Sequence, residues 1–290
     1  MSLAPMSALA AAARAHGRGL GAFNVIQLEH AEAIVAGAEQ AGLPVVLQLS
    51  ENTAAYHGSI APLALAALRI AEEAAVEVVV HLDHATRPEL VREAVELGLP
   101  SVMVDAAALP YAENLALTRE LTAWCHDRGV WVEAELGEVG GKNGAHAPGV
   151  RTDPAEAARF TAATGIDALA VAVGSSHAML TRDAVLDDDL IAQIAACVPV
   201  PLVLHGSSGV SDAGLTSAVR HGILKINIAT HLNKAMTGTV RSVLAADPGL
   251  VDPRRYLGPA RDAVTTEVAR LLEVLACAAS ATRSPPAVTS

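Results

Sequence analysis

The stretch Glu77-Val78-Val79-Val80-His81-Leu82-Asp83-His84 joins an apolar run to two imidazoles and a carboxylate. Continuous valine runs are typical of strands that are covered on both faces. Imidazoles and a carboxylate are costly to bury directly after such a strand unless they are paired or bind a metal. The stretch therefore predicts a buried strand that ends in a functional site.

Further apolar runs recur along the chain with helix-like segments between them. Including the first stretch, the predicted strands are 19–25, 44–49, 76–82, 101–105, 130–136, 167–173, 201–204 and 223–228. Their spacing of roughly 22 to 37 residues fits repeated βα units with right-handed crossovers. Eight units predict an α/β protein with a single-domain (β/α)8 TIM barrel. An open doubly wound sheet is disfavoured because no Gly-x-Gly-x-x-Gly turn follows an early strand.

The domain boundaries and helix starts follow from local composition. We predict a barrel over residues 1–277 with an N-terminal helix and C-terminal helices, and a disordered tail over 278–290. Helix starts are expected at Thr152-Asp153-Pro154 and at Thr86, which Pro88 follows. The Gly-rich segment 137–151 is interpreted as a mobile lid, with a slack connection as the alternative.

Composition argues against several functional classes. A net charge of −11, three lysines and 2% aromatic residues predict no binding to nucleic acid. No apolar run is long enough to span a membrane, and arginines interrupt the first 20 residues where a signal peptide would need an apolar core. The three cysteines lie far apart outside any Cys-x-x-Cys pair, which predicts a protein of the reducing cytoplasm without structural disulfides.

Polar side chains follow the predicted strands at their carboxyl ends, which in a parallel barrel form one mouth. His84, His177 and His205 predict a three-histidine zinc site with an open position. His81 would overfill that site and is interpreted as a supporting group. Asp83 is the candidate general acid/base, or alternatively it only orients a metal ligand.

Two other sets of residues at this mouth have more than one interpretation. Asp105 and Glu135 are predicted to hold a second or alternate metal position. The alternative is that they form ion pairs with Lys225 or an arginine. The turns Gly206-Ser207-Ser208 and 227–230 predict a phosphate cradle, because glycine lets backbone N–H groups approach an anion at a helix N-terminus. Turns rich in glycine and serine also simply cap helices.

Taken together, these motifs resemble the zinc-dependent class II ketose-bisphosphate aldolases, which include the fructose- and tagatose-1,6-bisphosphate enzymes. The resemblance runs from about Ala22 to the last helix. Its motifs are His81-Leu82-Asp83-His84, Ser101-Val102-Met103-Val104-Asp105, Val132-Glu133-Ala134-Glu135-Leu136-Gly137, Leu204-His205-Gly206 and Lys225-Ile226-Asn227-Ile228-Ala229-Thr230. The resemblance implies a barrel that forms a homodimer or homotetramer.

The resemblance also implies a role for each site residue. His84, His177 and His205 would bind the catalytic Zn2+, and Asp105 and Glu135 would hold an alternate zinc position. Asp83 would move the proton of the C4 hydroxyl, and Asn227 would contact the enediolate of dihydroxyacetone phosphate. The substrate and its phosphate would be held by Asn24, Ser50, Gly206, Ser207, Ser208, Asn227, Ala229 and Thr230. Carbonyls near Gly174 and Gly206 would take a monovalent cation, Na+ or K+.

The chain departs from the family pattern at two places that matter for catalysis. The family usually has a lysine for phosphate shortly after the strand-six histidine, whereas this chain has Arg182, which we predict to bind phosphate instead. The family's lid carries an acidic proton shuttle, whereas this lid reads Lys142-Asn143-Gly144-Ala145-His146. We predict that His146 replaces the shuttle, with Glu138 as the alternative.

The sequence thus predicts a zinc-dependent aldolase that reversibly cleaves a fructose- or tagatose-type ketose 1,6-bisphosphate to dihydroxyacetone phosphate and glyceraldehyde 3-phosphate. The alternatives are a family member acting on another phosphorylated sugar and a non-catalytic phosphosugar-binding barrel. A Schiff-base aldolase using Lys225 would leave the three histidines unexplained. A metal-dependent hydrolase would usually begin with His-x-His on the first strand, where this chain has Asn24.

Overall fold

The computed structural model of the chain describes residues 2–136, 151–175 and 181–276. Parallel strands in chain order close into a barrel in which the last strand pairs with the first. The strands are β1 (Leu20–Asn24), β2 (Val45–Ser50), β3 (Val78–Ala85), β4 (Ser101–Val104), β5 (Trp131–Glu135), β6 (Ala168–Val171), β7 (Leu202–Leu204) and β8 (Ile223–Ile228). This confirms the predicted single-domain (β/α)8 barrel, and every strand end lies within three residues of its prediction.

Helices connect the strands and surround the barrel. They are α1 (Met6–Ala15), α2 (Leu28–Ala41), α3 (Glu51–His57), α4 (Ala61–Glu73), α5 (Pro88–Glu96), α6 (Tyr111–His126), α7 (Pro154–Thr164), α8 (Asp188–Cys197), α9 (Asp212–His221), α10 (Thr230–Ala246) and α11 (Arg254–Ala276). The predicted tail 278–290 and most of the predicted lid lie outside the described residues. None of the described helices is both long and apolar enough to cross a membrane.

One of the two predicted helix starts differs from its prediction. At α7, the Asp153 side chain accepts a hydrogen bond from the backbone N–H of Glu156, and Pro154 occupies the first turn as expected. At α5, the N-cap residue is Arg87 and not Thr86. The N–H and the hydroxyl of Thr86 both donate to the Glu51 carboxylate, at 2.6 and 3.1 Å, so Thr86 is oriented toward α3.

The two faces of each strand belong to different parts of the core. On β3, Val80 and Leu82 point outward into the large cluster between the strands and the helices. Val79 points into the barrel and packs with Leu20, Val46, Leu224 and the apolar face of α1. Helix α1 therefore closes the amino-terminal end of the barrel with apolar side chains, and the polar residues are left at the carboxyl-terminal end.

Candidate active site

The end of β3 presents two consecutive side chains to the same cavity. Successive residues of a regular strand point to opposite faces, so Asp83 and His84 would normally diverge. Here His84 has φ +50°, the one positive value at a non-glycine residue in the described parts of the chain. The β3–β4 register also shifts between Leu82 and Ala85. This local break, which costs roughly 1–3 kcal/mol, lets both Asp83 and His84 line the cavity.

Two imidazoles meet at the centre of the mouth. His84 Nε2 lies 2.8 Å from His205 Nδ1. The far nitrogen of each ring faces a carboxylate, with His84 Nδ1 at 2.7 Å from Asp105 Oδ2 and His205 Nε2 at 2.9 Å from Glu133 Oε1. A carboxylate behind an imidazole is the arrangement that orients histidine ligands in metal sites.

The donor atoms of this cluster suit a metal ion. Ligand atoms of Asp83, His84 and His205 lie within 4.8 Å of one another, and so do those of His84, Asp105 and Glu135. Two nitrogens bound to one tetrahedral zinc would be about 3.3 Å apart, given Zn–N bonds of about 2.0–2.1 Å. The observed 2.8 Å is close to that spacing. Four of the five predicted metal ligands are thus brought together, and His177 lies outside the described residues.

Asp83 is held by two amides. Its Oδ2 accepts from Asn24 Nδ2 at 3.3 Å, and its Oδ1 accepts from Asn227 Nδ2 at 3.2 Å. Burial by itself would raise the pKa of Asp83, but His84, His205 and Lys225 outweigh burial and hold that pKa below its ordinary value. The side chain is therefore a fixed carboxylate at the edge of the predicted metal position.

Behind the histidines lies a buried ion pair that the sequence analysis did not assign. Lys225 Nζ donates to Glu133 Oε2 at 2.8 Å, and Glu133 is fully buried. His81 Nδ1 forms a hydrogen bond of 2.7 Å with Ser101 Oγ. Burial, and after it the positive charge of Lys225, lowers the pKa of His81 well below its usual value. His81 is therefore a neutral supporting group. The signal for Glu133 is its spacing of two from Glu135, which places both on the inner face of β5.

A cavity of about 660 Å³ opens in front of this cluster. All the residues predicted to bind substrate or phosphate line it except Arg182; they are Asn24, Ser50, Gly206, Ser207, Ser208, Asn227, Ala229 and Thr230. The opposite wall comes from the β2–α3 segment and its neighbours, which the sequence analysis missed: Ile26, Glu51, Asn52, Thr53, Tyr56 and Thr86. Nothing in the sequence marks which side of the short helix α3 faces the mouth.

The predicted phosphate turn is fixed by several hydrogen bonds. Gly206 has φ +66° and leads into a 3-10 turn over Ser207–Gly209. The Ser207 hydroxyl donates to the carbonyl of Asn227 on β8. The Ser208 carbonyl faces His231 Nε2 at 3.2 Å. The turn therefore has a defined backbone shape next to the N-terminus of α10.

Arg182, which was predicted to bind phosphate, has protein partners in the structure. Its guanidinium donates to the carbonyl of Val210 at 2.8 and 2.9 Å and to Asp212 Oδ1 at 2.6 Å, and it does not line the cavity. His146 and Glu138, the candidate proton shuttles, lie outside the described residues.

Comparisons with known proteins confirm the family resemblance. A family model described as fructose-bisphosphate aldolase class-II matches residues 4–280. A fructose-bisphosphate aldolase from Giardia intestinalis is 36% identical over 291 residues, covering 91% of this chain and 90% of that protein. One from Staphylococcus epidermidis is 36% identical over 272 residues, covering 92% and 95%. The crystal structure of the YdjI aldolase from Escherichia coli K12 matches with a TM-score of 0.81 at 30% identity, covering 94% of this chain and 97% of that one.

Proposed function

The chain belongs to the class II fructose-bisphosphate aldolase family, whose members are metal-dependent lyases, and on that premise we propose a zinc enzyme that reversibly cleaves a ketose 1,6-bisphosphate. The substrate is of the fructose or tagatose type, and the products are dihydroxyacetone phosphate and glyceraldehyde 3-phosphate. The observation that carries this proposal is the approach of His84 Nε2 to His205 Nδ1 beside the Asp83 carboxylate.

Zinc is proposed because of the ligand chemistry. Imidazole nitrogen suits zinc, whereas magnesium and calcium take oxygen ligands. We propose that His177 is the third histidine ligand and that Asp105 and Glu135 hold an alternate position for the ion. A monovalent cation, Na+ or K+, at the carbonyls near Gly174 and Gly206 is part of the same proposal.

The side chains of the mouth divide the reaction between them. The bound metal supplies Lewis-acid polarisation of the ketose carbonyl. In the cleavage direction Asp83 accepts the proton of the C4 hydroxyl as the C3–C4 bond breaks, and the amides of Asn24 and Asn227 keep its carboxylate oriented. Asn227 contacts the enediolate, and His146, with Glu138 as the alternative, shuttles the proton at the dihydroxyacetone carbon.

The proposed phosphate site of the three-carbon fragment lies where β7 and β8 end. The turn over 206–208 and the residues Ala229 and Thr230 line the cavity at the N-terminus of α10. Backbone N–H groups and the helix dipole favour an anion there. Asn24 and Ser50 contact the sugar hydroxyls at the neighbouring edge of the cavity.

The alternative substrate, another phosphorylated ketose, is favoured by one observation. Among the described lining residues the wall opposite the phosphate turn contributes Glu51, Asn52 and Tyr56, and no lysine or arginine. A second phosphate therefore has no cationic partner in the described part of that wall. A ketose 1-phosphate belongs in the substrate panel for this reason.

The Schiff-base alternative is disfavoured by the position of Lys225. A Schiff-base lysine must reach the substrate carbonyl, whereas Lys225 Nζ contacts the buried Glu133 carboxylate at 2.8 Å and is not among the residues that line the cavity. We further propose a homodimeric or homotetrameric enzyme of the cytoplasm.

The test is cleavage of fructose 1,6-bisphosphate, tagatose 1,6-bisphosphate and fructose 1-phosphate, each with and without EDTA. We expect cleavage of a bisphosphate, its loss in EDTA and its recovery with zinc. Activity that resists EDTA and is trapped by borohydride would refute the zinc mechanism. Cleavage of the monophosphate alone would replace the bisphosphate by the alternative substrate class.

A further inference from the structure

A line of paired side chains runs from the phosphate turn to the last helix. His231, at the start of α10, has its Nε2 at 3.2 Å from the Ser208 carbonyl oxygen and its Nδ1 at 3.3 Å from Glu267 Oε1 on α11. The Arg270 guanidinium binds both Glu267 oxygens, at 2.8 and 2.9 Å. We call His231, Glu267 and Arg270 the anchor network.

The anchor network also reaches the far end of the same β7–α9 segment and, through it, the segment between β6 and α8. Arg270 Nη1 donates to Asp212 Oδ2 at 2.6 Å, and Asp212 Oδ1 accepts from Arg182 at 2.6 Å. Arg182 in turn holds the carbonyl of Val210, the residue that follows the phosphate turn. One helix therefore fastens the turn on both sides, through Ser208 and through Val210.

The inner part of this network is shielded from water. The His231 side chain is 13% exposed and that of Glu267 is 23% exposed. Burial alone would raise the pKa of Glu267, but hydrogen bonds from Arg270 and His231 lower that pKa to about 2. Glu267 is therefore an ionised carboxylate near neutral pH, and it attracts the His231 imidazole throughout that range.

The contact with Ser208 has a consequence for the turn. The Ser208 carbonyl can only accept, so His231 Nε2 is the donor in this contact. The same contact fixes the peptide plane between Ser208 and Gly209, because the C=O and the following N–H of a trans peptide lie in one plane. The Ser207 hydroxyl, which donates to the Asn227 carbonyl, fixes the preceding part of the turn to β8.

We propose that His231 is a positioning residue for the phosphate-binding turn and that Glu267 and Arg270 of α11 hold its imidazole in place. The affinity of the site for a phosphate group then depends on a helix that does not line the cavity. This inference rests on the proposed function, in which the turn over 206–208 binds the substrate phosphate.

The experiment compares His231→Ala and His231→Gln with Arg261→Ala, a control variant on α11. Arg261→Ala removes the ion pair of α11 with Glu32 on α2, at 2.7 Å, without a contact to the turn. We expect His231→Ala to raise KM about 10-fold with kcat within about 2-fold, the effect of one lost hydrogen bond on binding. Glutamine, which can donate to the Ser208 carbonyl, should recover most of the KM, and Arg261→Ala should leave KM unchanged.

Inorganic phosphate is the second probe, and it does not require turnover. The dissociation constant of phosphate for the intact protein, measured by calorimetry, should rise with His231→Ala in parallel with KM. A folded His231→Ala variant with unchanged phosphate affinity would overturn the inference, and so would a fall in kcat at unchanged KM. If the wild-type chain binds phosphate but cleaves none of the sugars, the proposed function fails while the calorimetric comparison still decides the role of His231.

A variant outside the turn covers the case in which His231→Ala does not fold. Glu267→Ala removes the group that holds the imidazole and leaves both the turn and His231 intact. It should raise the phosphate dissociation constant in the same direction by a smaller factor. An unchanged constant in this variant would also overturn the inference.

Discussion

The two ends of the barrel are built from the same strands but are chemically opposite. At the amino-terminal end Leu20, Val46, Val79 and Leu224 form a buried apolar cluster with α1. At the carboxyl-terminal end the same β3 delivers Asp83 and His84 to an open cavity. The amino-terminal end therefore stabilises the barrel, and the carboxyl-terminal end carries the residues for chemistry. The two ends are only a few residues apart along each strand. Changes at the two ends should therefore affect different quantities.

The largest effect is expected at the carboxyl-terminal end, from Asp83→Asn. The substitution preserves the shape of the side chain but removes the base. The new asparagine amide would face the Nδ2 atoms of Asn24 and Asn227, which lie 3.3 and 3.2 Å from the Asp83 oxygens. We expect kcat to fall about 1000-fold, within the range for loss of a general base, with little change in melting temperature. The zinc content of the purified variant serves as the control. A kcat within a few-fold of wild type would show that Asp83 only orients its neighbours.

At the amino-terminal end, Leu9→Ala should do the reverse. Leu9 of α1 is fully buried in the apolar cluster, so its truncation should lower the free energy of unfolding by about 3 kcal/mol. Denaturant unfolding measures the loss, and kcat per folded molecule should stay at the wild-type value. A large fall in kcat in the folded variant would mean that the two ends are coupled.

The smallest effect is expected from the ion pairs on α11, which connect the outside of the barrel to its mouth. The pKa of Glu267 is lowered from 4.5 to about 2. The ionised carboxylate therefore stabilises the folded protein above pH 4.5, and this stabilisation is lost as the pH falls toward 2. That contribution is roughly 2–3 kcal/mol after allowance for partial exposure. Glu267→Gln should therefore flatten the loss of stability between pH 5 and 2, as measured by unfolding at each pH. A variant with the same acid sensitivity as wild type would contradict this assignment.

Much of the fold could be predicted because strand runs and strand ends are local properties. The valine run before His81 and the polar residues after each strand are visible in the sequence, and barrel closure follows from their repetition. The choice of partners was not predictable in the same way. Lys225 pairs with Glu133 and Arg182 pairs with Asp212 through three-dimensional proximity, and neither pairing is visible in the sequence.

The backbone at His84 was likewise invisible in the sequence. A left-handed residue is usually signalled by glycine or asparagine, and here a histidine adopts that conformation. The Thr86 cap failed for a related reason, because hydrogen bonds from Thr86 to Glu51, the first residue of α3, orient Thr86 toward that helix. Long-range contacts override local preferences at the mouth, where the strands from the whole chain converge.

The left-handed φ of His84 has a consequence for engineering and for selection. A glycine at this position would adopt the same φ without a steric penalty, so it would relax the backbone while removing an imidazole from the mouth. Glycine would also remove the contacts of His84 with Asp105 at 2.7 Å and with His205 at 2.8 Å, which are partly buried and costly to lose. Relief of backbone strain and loss of these contacts therefore act in opposite directions on stability at position 84, so selection for heat resistance gains little from exchanging this histidine.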